Sequence, residues 1–291
     1  MNRQLLLFLF VLLLIAIACS KNGGGSSTIT PTNPVTPVTP VISTCIISGI
    51  SQRNSGTLAE FGLTASYDNN LNPLTIRVYD SLNNLVLFSA SFTYATADSV
   101  RIDSIQYLIL DANKRVTTFV TKSDLTNPAT ADNYRYQYIY NGNGYLATKN
   151  LYINGSGKAY YSSAYTYTNN LLTGCVMTSP ASGNQTILSS SLSYDTSTSP
   201  KTMIYPFPDG FENYYYSSIL NYGNRPAKVL SQVVTKLYNP GTGALLDTWT
   251  TNYSGYTLDG NGYLSYGIAS GDLQQGMASF YGKTYFYYQC K

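Results

Sequence analysis

The chain has 291 residues and a formal net charge of +3, with 11% charged residues, 29 tyrosines and no histidine. A charged fraction so far below the usual ~25%, without a run of five like charges, argues against a nucleic-acid partner. The missing histidine excludes His-based triads, His general bases and His-ligated metals.

Residues 1–18 read as a lipoprotein signal peptide. Arg3 gives a positive start, Leu5 to Ile17 is an unbroken apolar run, and Ala18 is a small residue at the cut site. The run is shorter than the ~20 residues that a spanning helix needs. Cys19 follows directly, so cleavage there would leave Cys19 as a lipidated N-terminus, held by more than one acyl chain. Residues 19–44 then form the lipidated N-terminus and its tether. Gly23-Gly24-Gly25-Ser26-Ser27 is flexible, and Pro31, Pro34, Pro37 and Pro40 recur every third residue. Three residues make one turn of polyproline II, so these prolines line one edge of an extended rod. At about 3.1 Å per residue, Ile29 to Ile42 spans roughly 40 Å.

Residues 45–291 are expected to fold as a single β-repeat domain. Tyrosine, threonine, valine and serine favour strands. Asn141-Gly142-Asn143-Gly144, Asn154-Gly155, Pro240-Gly241 and Asp259-Gly260-Asn261-Gly262 are turn sequences that supply positive φ. Tyr134, Tyr136, Tyr138 and Tyr140 lie two apart and share one face of a strand. That face is either buried core or an exposed aromatic ladder. An internal repeat joins these features. Tyr140-Asn-Gly-Asn-Gly-Tyr-Leu146 recurs as Leu258-Asp-Gly-Asn-Gly-Tyr-Leu264, with looser copies starting at Tyr67, Leu110, Tyr167, Tyr194 and Tyr222. Successive copies are mostly 27 to 30 residues apart, room for two strands and a second turn. Seven units predict an all-β, antiparallel meander of about fourteen strands in a curved or curled sheet. A closed barrel or propeller-like arrangement is the alternative.

The Tyr-Asp/Asn-x-Asn-Gly-x-Leu motif resembles the YD-type repeats of Rhs proteins. With the Ala16-Ile17-Ala18-Cys19 lipobox and the Gly/Pro tether, the chain is similar to a large group of Bacteroidota cell-envelope lipoproteins. The resemblance implies lipid anchoring in the envelope, at the outer membrane. Many members of that group carry an acid just after the cysteine for surface display. Ser20-Lys21-Asn22-Gly23 has none, so the periplasmic face stays open beside the surface.

Three cysteines remain after Cys19, and no Cys-x-x-Cys occurs, which argues against zinc or thioredoxin chemistry. Export favours a disulfide. Cys45 opens the domain and Cys290 closes it, so they are the expected pair, with Cys175 left as a small buried hydrophobe. Such a bridge demands that the sheet curl or that its last strand return beside the first. Among the acids, Asp209 and Glu212 stand apart from the turns. They lie in the aromatic-rich stretch Tyr205 to Tyr216, a candidate sugar-binding loop in which Tyr214, Tyr215 and Tyr216, with Trp249, would stack on rings. A carbohydrate enzyme would need two such carboxyls across a cleft. The glycine turns carry too few carboxylates for calcium, and no phosphate-binding loop is present. No cofactor is expected. Asp80-Ser81-Leu82, Asp98-Ser99-Val100 and Asp103-Ser104-Ile105 match the Asp-Ser/Thr-apolar O-glycosylation pattern of Bacteroidota, making Ser81, Ser99 and Ser104 candidate glycan sites.

The leading reading is a non-catalytic envelope scaffold with tyrosine-rich faces, bound to the membrane through Cys19 and meeting a glycan or an envelope protein. The second is a carrier of something apolar, with the sheet curled around a groove. The third is a carbohydrate-active enzyme.

Overall fold

The computed structural model describes residues 45–53, 61–80, 83, 85–123, 125, 127–209, 214–272 and 282–291, with the side chains of Tyr214 and Tyr215 left out. The signal peptide and the tether, with Cys19, lie outside the described residues. In chain order the strands are β1 (Cys45–Arg53), β2 (Phe61–Tyr67), β3 (Pro73–Asp80), β4 (Leu85–Ser91), β5 (Thr93–Thr96), β6 (Ser99–Arg101), β7 (Tyr107–Leu110), β8 (Val116–Lys122) and β9 (Asn133–Tyr140). They continue as β10 (Leu146–Ile153), β11 (Tyr161–Thr168), β12 (Leu171–Ser179), β13 (Gln185–Asp195), β14 (Val229–Tyr238), β15 (Leu245–Leu258), β16 (Leu264–Gly271) and β17 (Gly282–Cys290). One short helix, α1 (Tyr214–Ile219), lies between β13 and β14.

All seventeen strands belong to one antiparallel sheet. Each pairs with its neighbours in sequence, β4 and β5 apart, and β1 pairs with both β17 and β2. The circuit therefore closes, and the barrel is the form the sheet takes. β4 and β5 are one run of chain broken only at Phe92. Its first part pairs with β3 and its second with β6. The ring thus has sixteen positions, and an all-antiparallel ring can close only on an even number. The expected count of fourteen was low for a definite reason. Seven antiparallel pairs do supply fourteen positions, but β1 and β17 flank the repeats and add two more. Of the seven repeat positions, that at Tyr194 leads into the long connection between β13 and β14, and that at Tyr222 lies within it. The turn at Ala97-Asp98, which lacks the motif, takes the place of the Tyr222 copy.

Because direction alternates, the turns β2–β3, β7–β8, β9–β10 and β15–β16 lie on one rim with Cys45 and Cys290. These four turns share one set of bonds. In each, the first Asp or Asn accepts two backbone N–H groups, from the residues two and four further on. Asp68 receives Asn70 and Asn72 at 2.8 Å each, Asp111 receives Asn113 and Arg115 at 2.9 Å, Asn141 receives Asn143 and Tyr145 at 3.0 Å, and Asp259 receives Asn261 and Tyr263 at 2.9 Å. The fourth residue has positive φ: Leu71 62°, Lys114 60°, Gly144 79° and Gly262 83°. Asp and Asn suit the first position because their side-chain oxygen reproduces a backbone turn.

Six tyrosines near the same rim share another task. Tyr94, Tyr140, Tyr194, Tyr256 and Tyr288 each donate a phenolic hydrogen to a carbonyl at the start of an earlier strand, at Pro73, Val116, Leu172, Leu230 and Leu264, over 2.6–3.2 Å. Tyr67 does the same to Ile47. The separation is 20 to 26 residues in all six. A large ring fills the barrel end while its hydroxyl stays satisfied. Burial pushes the pKa of Tyr67, Tyr94, Tyr194, Tyr256 and Tyr288 well above the ordinary tyrosine value, so each remains a donor.

The barrel is filled. Between β13 and β14, the described residues 196–209 and 214–228 turn inward as a plug. Met203, Ile204, Tyr205, Ile219, Leu220 and Tyr222 are buried with inward side chains of the wall such as Leu108, Leu146, Leu172 and Phe286. Tyr136 and Tyr138 are buried too. Tyr134, Tyr136, Tyr138 and Tyr140 thus belong to the core, and no exposed ladder exists at those positions.

Candidate functional site

Of the stretch Tyr205 to Tyr216, expected as a surface loop for a sugar, Tyr205 to Asp209 and Tyr216 lie in the plug, largely buried. Pro206 and Pro208 explain why it can enter an apolar lumen. Each fixes φ and removes a backbone N–H that would otherwise need a partner there. Between them Phe207 packs against the ring of Tyr205 at 5.2 Å and of Tyr165 at 5.2 Å. Tyr216 is 1% exposed, edge-on to Phe88, Phe92 and Phe119. It offers no stacking surface, which corrects its assignment as a ligand contact.

Asp209 is corrected in the same way. Its side chain is 1% exposed and accepts a hydrogen bond from Tyr165 at 2.7 Å. The ammonium of Lys149 on β10, 3% exposed, sits 2.9 Å away. Burial alone would raise the carboxyl. The Lys149 charge and hydrogen bonds from Tyr165 and Ser163 outweigh it and hold Asp209 below the usual carboxylate range. A buried charge is tolerated only when paired and bonded in this way. The pair pins the plug to β10 and β11. Cys175, on the neighbouring β12, is a free, buried thiol whose pKa is pushed up by that burial, with the Asp209 charge adding to it. Asp209 and Lys149 use their charges on each other, leaving no accessible acid–base pair there.

The plug also docks on the two strongest repeat turns. The Asn224 N–H donates to the Gly144 carbonyl at 2.9 Å, and the Lys201 N–H to the Gly262 carbonyl at 2.9 Å. Asn224 donates a second bond from its side chain to the Asn143 carbonyl at 2.6 Å. A Cβ on Gly223 would collide with the Gly144 carbonyl oxygen. The Leu110 turn receives the plug as well: Asn221 donates from its side chain to the Asn113 carbonyl at 3.2 Å and accepts the Val116 N–H at 2.8 Å. The five-residue identity Gly-Asn-Gly-Tyr-Leu thus falls on two of the turns that receive the plug.

The remaining site residues scatter. Trp249, half-buried on β15, donates its indole N–H to Asp247 at 2.7 Å and stands opposite Thr235, on a strand remote from β10 and β11. Glu212 and Ser81 lie outside the described residues, as do the side chains of Tyr214 and Tyr215. Ser99 is half-buried in β6, and Ser104 is exposed between β6 and β7. Cys45 and Cys290 stand opposite each other in the β1–β17 ladder and are joined by a disulfide.

An aromatic strip does lie on the outer wall where β16, β17, β1, β2 and β3 adjoin, with Tyr287 exposed and Tyr266, Tyr285 and Tyr79 half-buried. Tyr266, Tyr285, Ser51, Gly62 and Tyr79 stand directly opposite one another across the five strands. The rings of Tyr266 and Tyr285 are 5.0 Å apart, and the Arg53 guanidinium lies 5.5 Å over Tyr285. In the adjoining row stand Tyr287, Gly49, Thr64 and Arg77. Tyr287 is 53% exposed and its ring rests on Gly49, as that of Tyr79 rests on Gly62. Sequence reading missed this strip because no local pattern joins β1 to β17.

No family profile and no curated protein matches the chain. Solved structures do. A porin-like protein from Bacteroides uniformis ATCC 8492 matches with a TM-score of 0.55 at 14% identity, over 84% of this chain and 98% of that one. A porin-like protein from Bacteroides vulgatus ATCC 8482 matches with a TM-score of 0.50 at 11% identity, over 84% and 98%. At such identities the likeness is one of fold, a large antiparallel β-barrel.

Proposed function

We propose that the chain is a non-catalytic β-barrel scaffold of the cell envelope, held to the membrane by lipid on Cys19 and presenting its outer wall for binding. The observation that carries this is the sidedness of the barrel. A membrane-spanning barrel is apolar outside and polar within. Here Tyr138, Leu146, Leu172, Leu188 and Val233 point inward and are buried. Arg135, Thr166, Ser191, Ser193, Lys236, Asn252 and Ser254 are exposed on the wall. Exposed apolar residues such as Ile139 and Val176 stand among them, and the exposed runs Leu85-Val86-Leu87 and Leu245-Leu246 are confined to the starts of β4 and β15. Such a wall suits water, and the plug occupies the space that a channel or an apolar cargo would use. This supports attachment through the lipid on Cys19 rather than through the wall, with the chain entering the sheet on the plug rim at Cys45.

Phase partition in a cloud-point detergent tests the reading. Wild-type chain from a bacterial host that processes lipoproteins is expected in the detergent phase, and Cys19→Ser in the aqueous phase. If Cys19→Ser still enters the detergent phase, the wall itself meets lipid and the proposal fails.

A further inference from the structure

From the outer strip we infer that this protein binds an acidic polysaccharide, one bearing uronate carboxylates, across β16, β17, β1, β2 and β3. The inference rests on the reading of the chain as a binding scaffold and gives that scaffold a ligand class and a site. Three features support it together. First, the strip is aromatic and shallow. Four tyrosines, Tyr266, Tyr285, Tyr287 and Tyr79, lie on the outer wall, two of them flattened on glycines. Flat rings backed by a rigid sheet are stacking platforms with little rotamer freedom to lose. Four strand spacings from Tyr266 to Tyr79 amount to roughly 19 Å, long enough for several sugar rings.

Second, the strip is cationic. The five strands hold Arg53, Arg77 and Lys283, all exposed, and a single acid, Asp80, which is buried. Neither of the two ion pairs found among the described residues involves these cations. Lys283 stands opposite Arg53, and Arg77 opposite Thr64, one row to either side of the Tyr266–Tyr285 line. Positive charge thus flanks the aromatic line, where the carboxylates of a stacked uronate chain would fall. Guanidinium groups suit that partner because they form forked hydrogen bonds to carboxylates.

Third, the centre of the strip suits a sugar better than a protein. A protein interface wants an apolar, tightly packed core. Here the middle positions are Ser51 and Thr64, which offer hydroxyls, and Gly49 and Gly62, which seat the rings of Tyr287 and Tyr79.

The test is affinity electrophoresis of the full chain in neutral detergent, through gels holding sodium polygalacturonate, its fully methyl-esterified form, or poly-glutamate. Polygalacturonate is expected to retard the protein, with the ester about tenfold weaker. Arg53→Gln/Lys283→Gln and Tyr285→Ser should each weaken polygalacturonate binding about tenfold. Melting curves for these variants are expected to match wild type, which separates lost binding from lost folding. Equal retardation by the ester would overturn the acidic class while leaving a sugar-binding wall. Equal retardation by poly-glutamate, with Tyr285→Ser unaffected, would replace the sugar by unspecific charge attraction. No retardation in any gel would overturn the inference, while the scaffold reading would still stand or fall on detergent partition.

Discussion

Replacing Asp209 by Asn removes one charge of the pair that pins the plug and leaves the Lys149 ammonium in place. Both side chains are nearly inaccessible to water, at 3% and 1% exposure. The lost partner therefore cannot be replaced by solvent screening. Breaking a buried pair from one side costs about 3–5 kcal/mol, mostly as the penalty of the orphaned charge. Against a total stability of about 5–15 kcal/mol, that is about a fifth or more of what holds the domain. For a chain of this size each kcal/mol moves the melting temperature by about 2–4 °C. Asp209→Asn should then lower it by about 6–20 °C. Scanning calorimetry reads that shift directly, and urea unfolding followed by tyrosine fluorescence gives the free energy. The double variant Lys149→Met/Asp209→Asn is expected to recover part of the loss, because no buried charge remains. A drop below about 3 °C in the single variant would refute the reasoning. It would mean that water reaches the pair or that the plug is held by its rings alone.

The same pair sets an acid limit. Asp209 has a depressed pKa, so its contribution is fully present above the ordinary carboxylate value of about 3.9 and is lost as pH falls through the lower folded value. Unfolding followed from pH 5 down to 2 should show that loss in wild type and a shallower slope in Lys149→Met/Asp209→Asn. Cys290→Ser opens a loop of 245 residues and is expected to cost up to about 5 kcal/mol by chain-entropy arguments. Urea midpoints under non-reducing conditions check it, and an unchanged midpoint would argue against the bridge. Gly223→Ala combines a collision with the Gly144 carbonyl and a φ of 91°, so it should destabilise far more than Gly262→Ala, which meets only the flexible Lys201 side chain and costs about 1–2 kcal/mol from positive φ. Similar losses in both would contradict plug docking at Gly144. Tyr288→Phe leaves the Leu264 carbonyl without its donor and should cost about 1–3 kcal/mol, a loss that denaturant titration resolves.

Local chemistry made much of the wall legible in the chain itself. Asp68, Asp111, Asn141 and Asp259 form the turns that their short oxygen side chains favour. The alternation of Tyr134 to Tyr140 places four rings on one face, since successive strand residues point to opposite sides. Sequence could not say which side that face meets, because only closure of the β1–β17 seam divides the sheet into an inside and an outside. It also gave the Tyr205–Tyr216 stretch the look of a solvent loop. Prolines and aromatics without strand alternation are common at surfaces, and only the lumen, built by strands far away in sequence, makes burial the better outcome. Lys149 and Asp209 are sixty residues apart and carry no motif. Their pairing is a product of the plug's path, as the strip from Tyr266 to Tyr79 is a product of the seam. Bonds within a turn or a hairpin are written in adjacent residues, whereas sidedness and filling depend on where distant strands meet.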